Sequence, residues 1–250
     1  MANIPLREAL SDKTPKLMAW VCYGVPYVVE QMGEAGYDAV LIDQQHGLTS
    51  HGDLVGCLTA ARAAGVPALV RPKSPDAGLI GAALDAGAQG VVVPLVETVE
   101  DTQVCVRAVK YAPKGMRSWG PYRGRLLTDH GDLEAVNDWT IACVQIETRA
   151  AMENLDDILA VDGLDMVLVG PNDLATALTG KRDIRAKEVA EACDRILKTA
   201  RQHNVFAAIF ANDLEFARPL FKAGWDLITV GTDMGLLENA AGDVVKALKD

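Results

Sequence analysis

The sequence predicts a single (β/α)8 TIM barrel occupying residues 1–250, on three observations. The length of 250 residues is that of one such barrel and is enough to bury a large core without disulfides or structural metal. Eight short, β-branched apolar runs alternate with longer stretches of helical spacing, which argues for βα units around a parallel sheet. Each run is almost continuously apolar, as strands covered on both faces are. An open doubly wound sheet of this size would carry a glycine-rich phosphate fingerprint after its first strand, and Cys22-Tyr23-Gly24-Val25-Pro26 is not one.

The eight runs are 17–23, 39–43, 68–72, 90–94, 142–147, 166–170, 205–210 and 227–230. Helical spacing fills 27–35, 54–64, 79–86, 99–111, 150–159, 186–203 and 214–222, and glycines at 36, 65, 87 and 224 close several of these stretches. The tail, 235–248, supplies an eighth helix. One connection is unusually long, from Pro113 to about Asp132, and carries Arg117, Trp119, Tyr122 and Arg123. Loops of that length are functional or disordered. This one reads as a lid or an oligomer contact, with those four residues as candidates for a pocket wall, or as a merely solvated loop.

Composition narrows the partners. Half the residues are hydrophobic and 23% are charged, as in ordinary globular proteins. The net charge of -10 and the lack of a basic stretch interleaved with aromatics argue against nucleic acid. No apolar stretch approaches the ~20 residues of a membrane helix, and the first residues do not read as a signal peptide, so the expected location is cytoplasmic and away from membranes. The five cysteines, at 22, 57, 105, 143 and 193, form no CxxC pair and read as buried reduced thiols.

Barrel active sites lie at the C-terminal strand ends, so polar residues there carry the most weight. These are Asp43 and His46, Arg71, Glu97, Gln145 and Glu147, Asn172 and Asp173, Asn212, and Thr232 and Asp233. Glu147 and Asp173 end adjacent strands, and two convergent carboxylates suit a hard divalent ion such as Mg²⁺ or Mn²⁺ whose other positions go to water and substrate. The plainer alternative is that Asp173 caps a helix starting at Leu174 while Glu147 pairs with Arg149. His46 is placed for acid–base work or is an inert surface histidine. Arg71 at the end of a buried strand requires an anion, either a substrate oxygen or Asp43. No lysine stands at a strand end, which disfavours a Schiff-base mechanism and favours a metal-dependent one.

These residues resemble the class II, metal-dependent pyruvate aldolases of the hydroxy-oxo-heptanedioate aldolase and citrate lyase β-subunit family. The resemblance spans nearly the whole chain. It runs through Asp43-Gln44-Gln45-His46-Gly47, Val70-Arg71-Pro72, the segment 84–90, Pro94 to Glu97, Gly115-Met116-Arg117-Ser118, Val144-Gln145-Ile146-Glu147 and the segment 169–174. It implies a carbon–carbon lyase that cleaves 4-hydroxy-2-oxo acids to pyruvate or hydroxypyruvate plus an aldehyde, with lysis of a 3-hydroxyacyl-CoA or a non-catalytic binding barrel as alternatives. It further implies Mg²⁺, Mn²⁺ or Co²⁺ on Glu147 and Asp173, and substrate contacts from Arg71, Gln145 and the amides around Asn172 and Asp173. Proton transfer falls to His46 and Asp43, with Asp85 reaching in from a neighbouring subunit. The implied assembly is a homohexamer, a trimer of dimers, exchanging the last helix between subunits. Gln45 departs from the pattern, since many relatives carry Glu there.

Overall fold

The computed structural model describes residues 5–249. Eight parallel strands, β1 (Lys16–Val21), β2 (Ala39–Asp43), β3 (Ala68–Arg71), β4 (Gly90–Val93), β5 (Ile141–Ile146), β6 (Met166–Val169), β7 (Phe206–Ala211) and β8 (Leu227–Val230), close in sequence order into a barrel. All eight apolar runs became strands. Closure is made by β1 and β8, with Leu17 opposite Ile228.

Side chains alternate between two cores because the strand period is two. Outward-facing residues such as Val40, Ile42, Val70, Val144 and Val169 pack against the helices in one cluster. Inward-facing Met18, Trp20, Leu41, Leu69, Val92, Cys143, Met166, Leu168 and Ala208 fill the barrel in another. The inward column of β2 ends at Asp43, that of β3 at Arg71, and that of β5 continues through Gln145 to Glu147. The alternation that fills the core thus delivers the polar residues to the mouth. At the opposite end a short helix, Leu6–Ser11, buries Leu6 and Leu10 in the interior cluster as a plug.

The sequence did not signal that helix, nor Leu133–Trp139, and the stretch expected as one helix over 150–159 is split into Arg149–Glu153 and Leu155–Leu159 at Asn154. The break falls at Asn154, whose backbone, φ -95° and ψ 11°, leaves the helical region and whose Nδ2 donates to the Glu97 carbonyl at 2.8 Å. The last helix, Asp233–Lys249, buries only Asp233, leaving Leu236, Leu237, Val244, Val245 and Leu248 exposed. No helix of the described residues is long and apolar enough to cross a membrane. All five cysteines are buried free thiols, and burial pushes Cys57 and Cys193 up to about 12.

Candidate active site

A cavity of about 490 Å³ opens at the C-terminal end of the barrel, lined by Trp20, Cys22, Asp43, His46, Arg71 and Gln145 on one side. Gly170, Asn172, Asp173, Thr176, Arg182, Phe210 and Thr232 complete the wall. It gathers Asp43, His46, Arg71, Gln145, Asn172 and Asp173, and Glu147 stands immediately after β5. No lysine lines the cavity among the described residues.

The β2–β3 register sets Asp43 directly beside Arg71. The guanidinium donates from Nε to Oδ1 at 2.9 Å and from Nη2 to Oδ2 at 2.5 Å, in the two-pronged geometry that arginine favours. Trp20, which the sequence reading did not single out, serves both partners. Its ring lies 4.6 Å from the Arg71 guanidinium carbon, and its Nε1 donates to Asp43 Oδ2 at 3.3 Å. Phe210 meets the same ring edge-on at 5.3 Å. Burial works against the Asp43 charge, but the hydrogen bonds and charge of Arg71, with donors from Trp20 and the Gln45 amide, outweigh it and hold the carboxyl below its usual range. Cys22 Sγ lies 3.9 Å from Asp43 Oδ2, and burial, reinforced by the Asp43 charge, pushes its thiol up to about 12. The same strand end is clamped by buried Asp233, which accepts from the Cys22 and Tyr23 amides.

On the opposite side the charges lack partners. Glu147 is 2% exposed and accepts from the Leu95 amide at 2.9 Å and from Gln145 Nε2 at 2.5 Å. Leu95 delivers its N–H from a left-handed backbone, φ 56°, which a leucine rarely adopts. Gly170 makes room at the end of β6, since a Cβ there would lie 2.7 Å from both Gln145 Nε2 and Glu147 Oε2. Burial pushes Glu147 up to about 7, and the Asp173 charge adds to the rise against the Leu95 and Gln145 hydrogen bonds and the Arg71 charge. Asp173 is exposed and has no ion-pair partner among the described residues.

Both plainer alternatives for this pair fail. The helix begins at Pro171 with Gly170 as its cap, so Asp173 lies inside the first turn and caps nothing. Arg149 turns away to the carbonyls of Ala177 and Leu178. For Arg71 the Asp43 partner is realised, and the pair still borders the cavity.

Two expectations are placed elsewhere, and Asp85, expected to act from a neighbouring subunit, is outside this chain's own cavity: at the end of Ala77–Asp85 it pairs with Arg117 at 3.1 Å. The long connection packs on that outer face, with Arg117 stacked over Tyr111, Trp119 against Tyr111 and His130, and Arg123 bonded to the Ala86 carbonyl and the Thr59 hydroxyl. None of its four candidate wall residues lines this chain's own cavity, since Arg117 and Arg123 are held beside the Ala77–Asp85 helix while Trp119 and Tyr122 stay 60% and 82% exposed. Glu97 is exposed and outside the cavity.

Residues 16–240 match the model of the HpcH/HpaI aldolase/citrate lyase family. The chain belongs to this family. It is 34% identical over 242 residues, 96% of either chain, to a hydroxypyruvate/pyruvate aldolase of Rhizorhabdus wittichii. It is 31% identical over 244 residues to a 4-hydroxy-2-oxo-heptane-1,7-dioate aldolase of Klebsiella pneumoniae, covering 96% of this chain and 91% of that one. A crystal structure of an HpcH/HpaI family protein from Burkholderia cenocepacia superposes with a TM-score of 0.89 at 30% identity, covering 98% of this chain and 99% of the other. As a member of this aldolase family the protein is a carbon–carbon lyase.

No group of three or more His, Cys, Asp or Glu side chains able to hold a metal occurs among the described residues. The two-carboxylate set nevertheless fits a divalent ion. A buried carboxylate held next to a like charge, with the neighbouring Gln145 Oε1 buried and unpartnered, offers hard oxygen donors of the kind a divalent ion takes.

Proposed function

We propose that the protein reversibly cleaves a 4-hydroxy-2-oxo acid into pyruvate, or hydroxypyruvate, and an aldehyde, using Mg²⁺, Mn²⁺ or Co²⁺ held by Glu147 and Asp173. The observation that carries this reading is the unpaired Glu147 beside Asp173, across the mouth from an arginine already oriented by Asp43 and Trp20. When bound, the ion would draw electron density from the 2-oxo group and ease the formation of negative charge on its oxygen. Arg71 adds a fixed positive charge at that oxygen, with its fork held by Asp43 so that little reorganisation is needed. The amides of Asn172 and Asp173, in the first turn of Pro171–Thr179 where no helical acceptor exists, receive the substrate carboxylate. Gln145, lining the same cavity, borders the substrate.

In cleavage, the C4 hydroxyl loses a proton and the C3–C4 bond breaks. The aldehyde leaves, and the electron pair passes to the 2-oxo oxygen until C3 takes up a proton. His46, exposed at the cavity, is the side chain with free ring nitrogens for these transfers, and its turn is fixed by Asp43, which accepts from the Gln45 amide at 2.9 Å and from the His46 amide at 3.4 Å. The apolar residues of the last helix support association with further copies of the chain, to be read by light scattering. The reaction is tested by pyruvate release from a 4-hydroxy-2-oxo acid before and after EDTA, with each ion added back. Activity that survives chelation and is trapped by borohydride would overturn the proposal.

A further inference from the structure

We infer that Arg182 recognises an anionic group at the far end of the aldehyde, making this lyase selective for carboxylate- or phosphate-bearing acceptors. The inference rests on the reaction proposed above. The charges that line the cavity are Asp43, Arg71, Asp173 and Arg182, with His46 among them, and Glu147 follows β5 next to Gln145. Asp43 and Arg71 neutralise each other, and a divalent ion would neutralise Glu147 and Asp173. Arg182 is left as an uncompensated cation in the mouth of a protein whose net charge is -10.

Of the cations near it in the chain, Arg182 alone lines the cavity, and most of the others are engaged. Arg185 pairs with Asp213 and Glu215, Lys187 with Glu191, and Arg149 with two carbonyls, whereas Arg182 is exposed and has no partner among the described residues. The segment that carries it is anchored on both sides. Gly180 closes the Pro171–Thr179 helix in a left-handed conformation, φ 72°, and the Thr179 hydroxyl accepts from the Lys181 amide at 3.1 Å. Beyond Arg182, the Asp183 carboxylate accepts from the Arg185 amide, and Ile184 is buried in the core.

The same helix sets the direction. Asn172, Asp173 and Thr176 present one face to the cavity, and Arg182 follows the end of that helix. From Asp173 to Thr179 the axis rises on the order of 9 Å, so Arg182 stands outward of the reacting centre while still lining the cavity. A planar, always-charged fork at that distance suits a carboxylate or phosphate separated from the aldehyde carbon by a short chain.

The test compares wild type with Arg182→Gln and Arg182→Lys, supplied with Mn²⁺ and pyruvate. Acceptor pairs match in length: succinic semialdehyde against butanal, and glyceraldehyde 3-phosphate against glyceraldehyde. Arg182→Gln is expected to lower kcat/KM for the anionic member by about tenfold or more, through KM, while the neutral member changes less than about twofold. Arg182→Lys should recover part of the loss. The pair that shows the effect tells carboxylate from phosphate. An equal change for charged and neutral acceptors, or none, would overturn the inference while leaving the lyase reaction standing. Absence of aldol addition with every acceptor would overturn the reaction instead. Binding of succinate to wild type and Arg182→Gln, followed by calorimetry, then decides the anion site without turnover, and equal affinities would reject it.

Discussion

The two sides of the barrel mouth hold their charges in opposite ways. On the β2–β3 side, Asp43 and Arg71 are nearly buried, bonded at two points, stacked on Trp20 and complete without substrate. On the β5–β6 side, Glu147 is equally buried but is bonded only to an amide and a glutamine, beside the like charge of Asp173 and with Arg71 acting on it as a charge without a hydrogen bond. The first arrangement stabilises the fold and orients an arginine. The second is held at a cost by the surrounding fold, the usual mark of a site built for something that binds. One mouth thus combines a finished electrostatic device with an unfinished one.

The largest effect is expected from Glu147→Gln, which should reduce turnover by roughly a thousandfold in steady-state assays, because the proposed cation site would lose its buried anion. Its thermal midpoint in EDTA should stay level or rise. A fall in stability would mean that Glu147 is as satisfied as Asp43 and would erase the contrast. Arg71→Met should cost both properties, about 3–5 kcal/mol in denaturant unfolding together with most activity, since it strands the Asp43 carboxylate in the interior.

The two sides should also respond oppositely to pH. In metal-free protein, Glu147 binds its proton more tightly when folded, with a pKa of about 7 against an ordinary 4.5. The folded state therefore holds more protons between these values, and stability should decline as pH rises from about 4.5 to 7. Asp43, held below its ordinary 3.8, contributes stability that is full above that value and is lost as pH falls through the depressed range. Denaturant titrations across pH in EDTA check both arms, and Glu147→Gln should flatten only the upper one. Added Mn²⁺ should release a proton near neutrality and weaken its own binding below about pH 7, a dependence that calorimetry in two buffers would read.

Smaller changes sharpen the comparison. Trp20→Phe keeps the ring beneath Arg71 but removes the indole donor to Asp43, and about 1 kcal/mol of stability and a severalfold drop in kcat are expected. Asn212→Ala removes the reciprocal amide pair with Asn172, whose two hydrogen bonds span 3.0 and 3.1 Å, and should raise KM a few-fold with stability almost unchanged.

Much of this site was legible before any coordinates. Arg71, Gln145 and Glu147 stand out because a polar residue ending an apolar run is costly unless it has a purpose, and the two-residue strand period sends each of them inward. Trp20 was not legible, because an inward tryptophan on β1 looks like any other core residue in a linear pattern. Asp85 was expected to serve a neighbouring subunit and the long connection to be a lid or an oligomer contact, and a linear pattern did not show that Asp85 and Arg117 pair with each other. The short helices were missed because six or seven residues carry too little periodicity to stand out.

By itself, then, the amino-acid sequence determined the barrel, the order of its strands and the polar ends that face the mouth, since these depend on periodicity and on the expense of burying charge. Only the tertiary structure decided which charges are matched. Pairing depends on the β2–β3 register, on the space left by Gly170 and on the left-handed turn at Leu95. Those are distances between segments far apart in the chain, and they separate the satisfied Asp43–Arg71 pair from the unsatisfied Glu147.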